Sequence, residues 1–305
     1  MAVNTKEIKS RIKSVKNTKK ITRAMQMIAA VKMRKAVEAA VAMRVYATLA
    51  SDLLENLGSQ GLTHPMMKDK KEGRSLMILV TSNRGLCGSY NSNVLKTAAR
   101  LIDEQEEKPI IIAIGKKAAN FARKRGLDLQ AVYEKMSENF SFEDVLPITS
   151  EIIRQFTAGA VRKVDILYTN YVSGLVQEVA GKQVLPVKPE HIAEVVADIQ
   201  STAGAADETS DIAERYSLDE YDFEPGKQAL LNYVIPLLVE VQVYHAVLES
   251  VASEHSSRML AMKNATEAAG EMIDDLTLVF NKGRQAAITQ EIAEITSGAN
   301  ALEQA

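Results

Sequence analysis

The C-terminal quarter of the chain carries a seven-residue repeat of apolar or small residues. One series comprises Val234, Val241, Leu248, Met262, Ala269, Leu276 and Gly283. A second series, three residues further on, comprises Leu237, Tyr244, Val251, Ala265, Met272, Val279 and Ala286. This spacing is typical of a long helix that winds left-handedly around a second helix. We therefore predict a helix from Pro225 to Leu302, with His255 as a hydrogen-bonded residue and Arg258 beside it at seam positions.

The N-terminal segment repeats the pattern and supplies the partner. Uncharged residues stand seven apart at Ile8, Val15, Thr22, Ala29, Ala36, Met43, Ala50 and Leu57. A second set, four positions later, comprises Ile12, Met33, Ala40, Ala47 and Leu54. Gly58 and Gly61, followed by Pro65, favour the end of a helix. The first helix is therefore predicted from Lys6 to Leu57.

The central part of the chain alternates between two kinds of apolar segment. Strands are predicted at Ser75–Thr81, Pro109–Ile114 and Val164–Tyr171, with a short further strand between turns at Gly174 and Gly181. Helices are predicted at Asn93–Glu106, Lys116–Arg125 and Thr149–Val161, and Ile199–Ser217 is either a loop or a helix. Strands that alternate with helices predict a mostly parallel sheet with helical cover.

The predicted fold class is a Rossmann-like α/β domain inserted between two helices that form a long antiparallel coiled coil. The predicted boundaries are an N-terminal helix over 1–58, a linker over 59–73, an α/β domain over 74–218 and a C-terminal helix over 219–305. Because both helices leave the same domain, Leu57 should lie near Leu230. The first helix should then end opposite Val279 or Phe280, leaving the end of the second helix as a partnerless tip.

The predicted tip carries a stripe formed by Ile288, Ile292 and Ile295. A lone helix gains little stability in water, and an exposed apolar stripe usually marks a contact with another protein. We therefore expect the tip to enter another protein, where Arg284 would pair with a carboxylate. A frayed tail is the alternative.

The outer face of the first helix is strongly basic. Its cations up to residue 44 are Lys6, Lys9, Arg11, Lys13, Lys16, Lys19, Lys20, Arg23, Lys32, Arg34, Lys35 and Arg44, against the acids Glu7 and Glu38. A solvated face, a nucleic-acid surface and a surface for an acidic protein partner all fit this composition.

Neither the loop Ser82–Asn91 nor any other segment offers a catalytic constellation. The loop lacks the glycine pattern of a phosphate-binding or dinucleotide-binding motif. Cys87 is the only cysteine, which excludes an internal disulfide and fits a reducing compartment. The histidines, His64, His191, His245 and His255, do not have metal-ligand spacing. We expect no cofactor, no signal peptide and no membrane-spanning stretch.

Three blocks of sequence resemble the gamma subunits of F-type ATP synthases. They are Asn17–Lys35, Ser82–Asn91 and Arg258–Gly298, and with the layout of the chain the resemblance covers nearly its whole length. Ser89 stands where the family usually has glycine, and Gly283 where alanine is common.

The resemblance implies a non-catalytic rotor subunit rather than an enzyme. Its partners would be a hexamer of alpha and beta subunits, the epsilon subunit and the membrane c-ring, driven by protons or sodium ions. The complex would lie peripherally on the cytoplasmic side of a bacterial inner membrane. By position, Arg258, Arg284, Gln285 and Thr289 would contact the beta subunits, and Met25 and Arg34 would face acidic beta-subunit segments. The basic first helix would then face an acidic partner.

Two other functions remain open from the residues alone. The chain could be a coiled-coil scaffold or nucleic-acid-binding arm attached to an α/β effector domain. An enzyme that acts through Cys87 or its loop ranks third.

Overall fold

The computed structural model describes residues 5–43, 64–134, 140–188 and 226–303. For residues 301–303 it describes the backbone only. The helices are α1 (Thr5–Ala42), α2 (Tyr90–Asp103), α3 (Lys116–Lys124), α4 (Leu146–Thr157) and α5 (Lys227–Glu303). The strands are β1 (Arg74–Val80), β2 (Ile110–Ile114), β3 (Leu129–Tyr133), β4 (Val161–Tyr171) and β5 (Gln177–Leu185). The chain divides into two units, Ala29–Arg258 and the pair of segments Met1–Ile28 with Met259–Ala305.

The unit Ala29–Arg258 is built on a five-stranded sheet in the order β3-β2-β1-β4-β5. The first four strands in this order are parallel and β5 pairs antiparallel with β4, so the mostly parallel sheet predicted from the alternation is confirmed. The predicted turn at Gly181 is wrong, because Gly181 lies within β5 opposite Leu167. Strand β3 was not predicted, since none of its five residues is fully buried and Gln130 interrupts its apolar residues.

Both faces of the sheet are covered, as a parallel sheet requires. On one face, Leu76 and Ile78 of β1 belong to the same buried cluster as Ile148 and Ile152 of α4 and the early part of α5. On the other face, alternate β1 residues such as Met77 and Leu79 pack with α2 and α3. The domain core therefore includes the first turns of α5, and all ten residues of α5 from 241 to 250 are buried.

Residues His64–Gly73 fall within the predicted linker, and they pack against the domain. A short 3₁₀ turn at Pro65–Met67 buries Met66, and the amide of Val187 donates to the carbonyl of Met66 at 2.8 Å. Lys70 donates through its ammonium group to the carbonyls of Phe156 and Thr157 at the end of α4. The remaining parts of the predicted linker, the first helix beyond residue 43 and the segment Ile199–Ser217 lie outside the described residues.

Helix α5 is the one described helix that is long and apolar enough, by length and composition alone, to cross a membrane. The expectation that no stretch of the chain is long and apolar enough to cross a membrane is therefore wrong for α5. Of the 18-residue apolar segment of α5 that is long enough for this, 78% is buried inside the protein, which is the pattern of a core helix. The apolar residues are accounted for by the contacts with the sheet and α4.

The two long helices are in contact in each unit, and they pair antiparallel in the unit formed by Met1–Ile28 and Met259–Ala305. In the α/β unit, Met43 packs with Leu237 and Val241. In the other unit, Thr22 lies beside Thr266, whereas Lys19, one turn earlier, lies beside Gly270, one turn later. These pairs agree within a few residues with the register predicted from the repeat. The predicted pair Leu57–Leu230 falls outside the described residues.

Candidate functional site: the helix seam, the exposed tip and the loop after β1

The seam is the set of α5 residues that face α1. In the part of α5 after Arg258, its second series is shifted by one residue from the positions predicted from the sequence. Met262 and Ala269 are buried as expected, but Met272 and Val279 are 47% and 45% exposed. Thr266, Ile273 and Phe280 line the seam instead. A step of four residues along a helix turns the side chain by about 40°, whereas a step of three turns it by about 60° the other way. The second series on this helix therefore lies four residues after the first, as it does on α1.

None of the described residues covers the end of α5. Phe280 and Gly283 are half-buried, and every residue from 284 to 300 is exposed. We call residues 284–300 the tip. The exposed stretch begins four residues later than the predicted starting point at Phe280. Its apolar stripe is confirmed as exposed, since Ile288, Ile292 and Ile295 are 43%, 60% and 72% accessible to solvent.

The polar residues predicted to contact partners at the tip lie close together along one helix. Arg284, Gln285 and Thr289 are all exposed. The hydroxyl of Thr289 donates to the carbonyl of Gln285 at 2.9 Å. Its proton is therefore used within the helix, and Thr289 offers a partner an acceptor. Arg284 and Gln285 provide donors beside it.

Arg258 lies at the end of the unit Ala29–Arg258, and contacts with other residues of that unit hold its side chain. Its guanidinium forms an ion pair with Glu254 at 2.7 Å, and the side chain is only 11% exposed. Its other terminal nitrogen lies 3.1 Å from Nδ1 of His255. The nitrogen that pairs with Glu254 also donates to the carbonyl of Gly85 at 3.4 Å. Arg258 therefore joins α5 to the loop Ser82–Asn91. Its predicted contact with a beta subunit stays a prediction.

His255 is buried, as expected for a hydrogen-bonded seam residue. Burial, reinforced by the nearby charges of Arg258 and Lys32, lowers its pKa to about 3. The imidazole is therefore neutral at pH 7. Its Nδ1 can then accept the hydrogen bond from Arg258.

The two other predicted contact residues lie on α1. Met25 is half-buried in the unit formed by Met1–Ile28 and Met259–Ala305. Arg34 is exposed in the unit Ala29–Arg258. Most of the described cations on this helix are exposed, and Lys19 and Lys32 are half-buried. A cavity of about 720 Å³ beside α1 is lined largely by these cations, together with Ile12 and Ile273.

The loop Ser82–Asn91 is stabilised by its own side chains. Ser82 donates through its hydroxyl to the carbonyl of Arg84 at 2.6 Å, and its amide donates to Oδ1 of Asn91 at 3.1 Å. Leu86 has a φ of 63° and is 63% exposed, whereas Cys87 is 2% exposed. Burial raises the pKa of the Cys87 thiol, which keeps it protonated and unreactive. These contacts describe a packed loop without a nucleophile.

Comparison with known proteins adds independent observations. A family model described as ATP synthase matches residues 4–302. The chain is 41% identical over 307 residues to the ATP synthase gamma chain of Roseiflexus sp. (strain RS-1), covering 98% of each chain. It is 38% identical over 305 residues to the ATP synthase gamma chain of Geobacter sp. (strain M21), covering 98% of this chain and 99% of that one.

Two solved structures have the same fold over most of this chain. One is a cryo-EM structure of the Tetrahymena thermophila mitochondrial ATP synthase, central stalk and c-ring, with 25% identity and a TM-score of 0.57. The match covers 80% of this chain and 99% of that chain. The other is the rotor of the Euglena gracilis mitochondrial ATP synthase, with 20% identity, a TM-score of 0.60 and coverage of 93% and 98%.

Proposed function

This chain belongs to the family of ATP synthase gamma chains, and from that premise we propose how its surfaces engage the other subunits. It is a non-catalytic, central-stalk rotor subunit of a membrane-associated complex, and catalysis takes place at the beta subunits. Cys87, the thiol of the loop Ser82–Asn91, is buried. The remaining question is which residues transmit rotation.

The exposed tip supports the proposal that α5 ends inside a hexamer of alpha and beta subunits. A single helix of this length is marginal in water. Its stripe of Ile288, Ile292 and Ile295 would be unfavourable if it stayed exposed. Apolar walls formed by the hexamer would cover the stripe and stabilise the helix.

The polar residues of the tip fix its orientation inside that enclosure. Arg284 pairs with a beta-subunit carboxylate, and Gln285 and Thr289 add hydrogen bonds to beta subunits. Further down, Arg258 and Met25 contact beta subunits, and Arg34 faces an acidic beta-subunit segment. The predominance of cations on α1 supports an acidic partner surface rather than a bare solvated face.

One asymmetric helix pair cannot present the same side chains to each of several equivalent neighbours. Each orientation therefore favours a different conformation in each beta subunit, and rotation moves these preferences around the hexamer. The α/β domain contacts the epsilon subunit and the membrane c-ring, whose proton- or sodium-driven rotation turns the chain. The complex lies on the cytoplasmic side of a bacterial inner membrane, with this chain attached peripherally.

Reconstitution with alpha and beta subunits tests the tip. Replacing Ile288, Ile292 and Ile295 by serine should lower the yield of the assembled complex and its ATPase activity, because the apolar contacts are lost. Glu294→Gln, on the opposite face of the same helix, is the control and should assemble normally. Deletion of the residues after Gly283 should weaken assembly or torque while the α/β domain stays folded. Normal assembly and coupling of the truncated chain, or salt-sensitive DNA binding without any effect on the ATPase, would contradict the proposal.

A further inference from the structure

Four serines of α5 form hydrogen bonds to the hairpin made by β4 and β5. The hydroxyl of Ser253 donates to the carbonyl of Thr169 at 3.2 Å, and the amide of Thr169 approaches Ser250 Oγ at 3.5 Å. Ser256 donates to the carbonyl of Gly174 at 2.7 Å, and Ser257 donates to Oε1 of Gln177 at 3.0 Å. We call Ser250, Ser253, Ser256 and Ser257, with these partners, the serine joint.

The geometry of the sheet explains why hydroxyl groups are needed at this position. The last pair in the register of β1 with β4 is Leu79 with Leu167, and β4 continues to Tyr171. The backbone amide and carbonyl of Thr169 therefore lie beyond the end of β1, and they face α5. Buried backbone groups without partners are costly. Ser250 supplies the acceptor and Ser253 the donor that a neighbouring strand would otherwise have supplied.

The joint also reaches a third element of the domain. The hydroxyl oxygens of Tyr90 at the start of α2 and Ser250 lie 2.7 Å apart, and both residues are buried. Gln177 donates through Nε2 to Ser256 at 3.4 Å. Two turns of α5 are thus connected to α2, β4 and the β4–β5 hairpin.

The direction of these bonds distinguishes them from the apolar contacts earlier in α5. Residues such as Ile235 and Val239 are buried by apolar neighbours. The attraction between apolar groups is non-directional, so these contacts restrain rotation of the helix about its own axis only through the shapes of the packed side chains. Hydrogen bonds weaken steeply when their angle changes, so hydroxyls bonded to fixed backbone groups resist such a rotation.

We propose that the serine joint is the element that couples rotation of the α/β domain to rotation of α5 about its axis. This inference rests on the proposed rotor function. Its residues position the helix and make no contact with nucleotide. Loss of the joint should leave the hexamer able to hydrolyse ATP around α5 while the α/β domain follows the helix less faithfully.

The test uses the assembled complex, with a bead attached to the α/β domain and the hexamer fixed to a surface. Glu106→Cys places the attachment site on an exposed turn, and the buried thiol of Cys87 does not compete for the label. The variant carries Ser253→Ala with Ser256→Ala, and the control carries Ser92→Ala at an exposed position on α2. The variance of the bead angle during pauses is the readout.

The double variant removes three of the six hydrogen bonds described for the four serines, which should raise this variance about twofold if the bonds contribute equally and independently to stiffness. ATP hydrolysis should stay near the parent rate, whereas ATP-driven ion pumping should fall. Ser256→Ala alone, which removes the bond to the Gly174 carbonyl and the bond from Gln177, should give a smaller increase and covers the case in which the double variant does not fold. A folded variant whose bead angle varies no more than in the parent would overturn the proposal that the serine joint couples the two rotations. Failure of the parent complex to rotate would instead overturn the proposed function.

Discussion

The hydroxyl oxygens of Thr22 and Thr266 lie 2.7 Å apart across the seam between α1 and α5. Each hydroxyl also lies within hydrogen-bonding distance of a carbonyl in its own helix, Thr22 at 3.1 Å from Lys19 and Thr266 at 2.7 Å from Met262. The seam residues next to this pair, Ala29, Met262 and Ala269, are apolar and buried. A polar pair inside an apolar seam favours the register that brings the two hydroxyls together, which is how coiled coils fix their alignment.

Thr22→Val should therefore lower the free energy of unfolding by about 1 kcal/mol, because it removes one hydrogen bond and leaves Thr266 bonded to its own helix. Urea unfolding of Thr22→Val, Thr266→Val and the double variant measures the coupling between the two residues. The two single effects should not add. Additive effects would mean that the hydroxyls do not interact in solution.

Gly270 lies beside Lys19 in the same seam, and substitution by alanine should stabilise the helix pair. A Cβ at this position would come 2.8 Å from Lys19 Nζ, which is the free end of a long side chain and can move away. Alanine favours a helix over glycine by about 1 kcal/mol. Thermal unfolding of Gly270→Ala should show a higher midpoint than the parent. A lower midpoint would show that the position of Lys19 is fixed.

The buried imidazole of His255 should make the protein less stable in acid. Its pKa is about 3 in the folded chain, against an ordinary value of 6.5, so the unfolded chain binds more protons between these two pH values. The free energy of unfolding should therefore fall as pH falls through this range, by up to about 1.4 kcal/mol per pH unit from this residue. Burial lowers the pKa of His64 as well, which adds a contribution of the same sign.

The contribution of His255 is measured as the difference between the parent and His255→Asn in urea unfolding at several pH values. The variant should be less stable at pH 7, because Arg258 loses an acceptor, but its stability should depend less on pH below 6.5. Parallel curves for the two proteins would show that His255 is protonated in the folded state.

Cys87 should react slowly with thiol reagents in the native protein. It is 2% exposed, burial raises its pKa, and Nδ2 of Asn91 donates to its sulfur at 3.1 Å. Labelling with a maleimide should be slow at pH 7 and become fast in urea. Cys87→Ser should leave ATP synthesis by the complex largely intact. Rapid native labelling together with loss of synthesis would return the loop to consideration as a reactive site.

The long-range pairing of α1 with α5 could be predicted because both helices carry a seven-residue repeat. Pairing Leu57 with Leu230 places Thr22 opposite Ala265, one residue from Thr266, beside which Thr22 lies in the structure. The mostly parallel sheet was predictable for a similar reason, since runs such as Ile110–Ile114 are apolar throughout. The exposed tip followed from the difference in length between the two helices.

The serine joint could not be predicted, because its partners come from tertiary structure. Along α5, Ser250 and Ser253 look like surface residues, and Glu249 looks like a solvated charge, yet all three are buried. Glu249 lies 3.5 Å from the ring of His245, in the segment of α5 that is buried on every side. A repeat in one sequence shows which face meets the partner helix. It does not show that a sheet covers the opposite face.

The most direct test of the account is whether the chain turns inside its hexamer. Chain carrying Glu106→Cys is assembled with alpha and beta subunits, the hexamer is fixed to a surface, and a bead on the cysteine is followed after ATP is added. We expect rotation in one direction, with one pause per turn for each equivalent catalytic neighbour. Beads that only fluctuate about a fixed angle, on complexes that hydrolyse ATP at the normal rate, would contradict it.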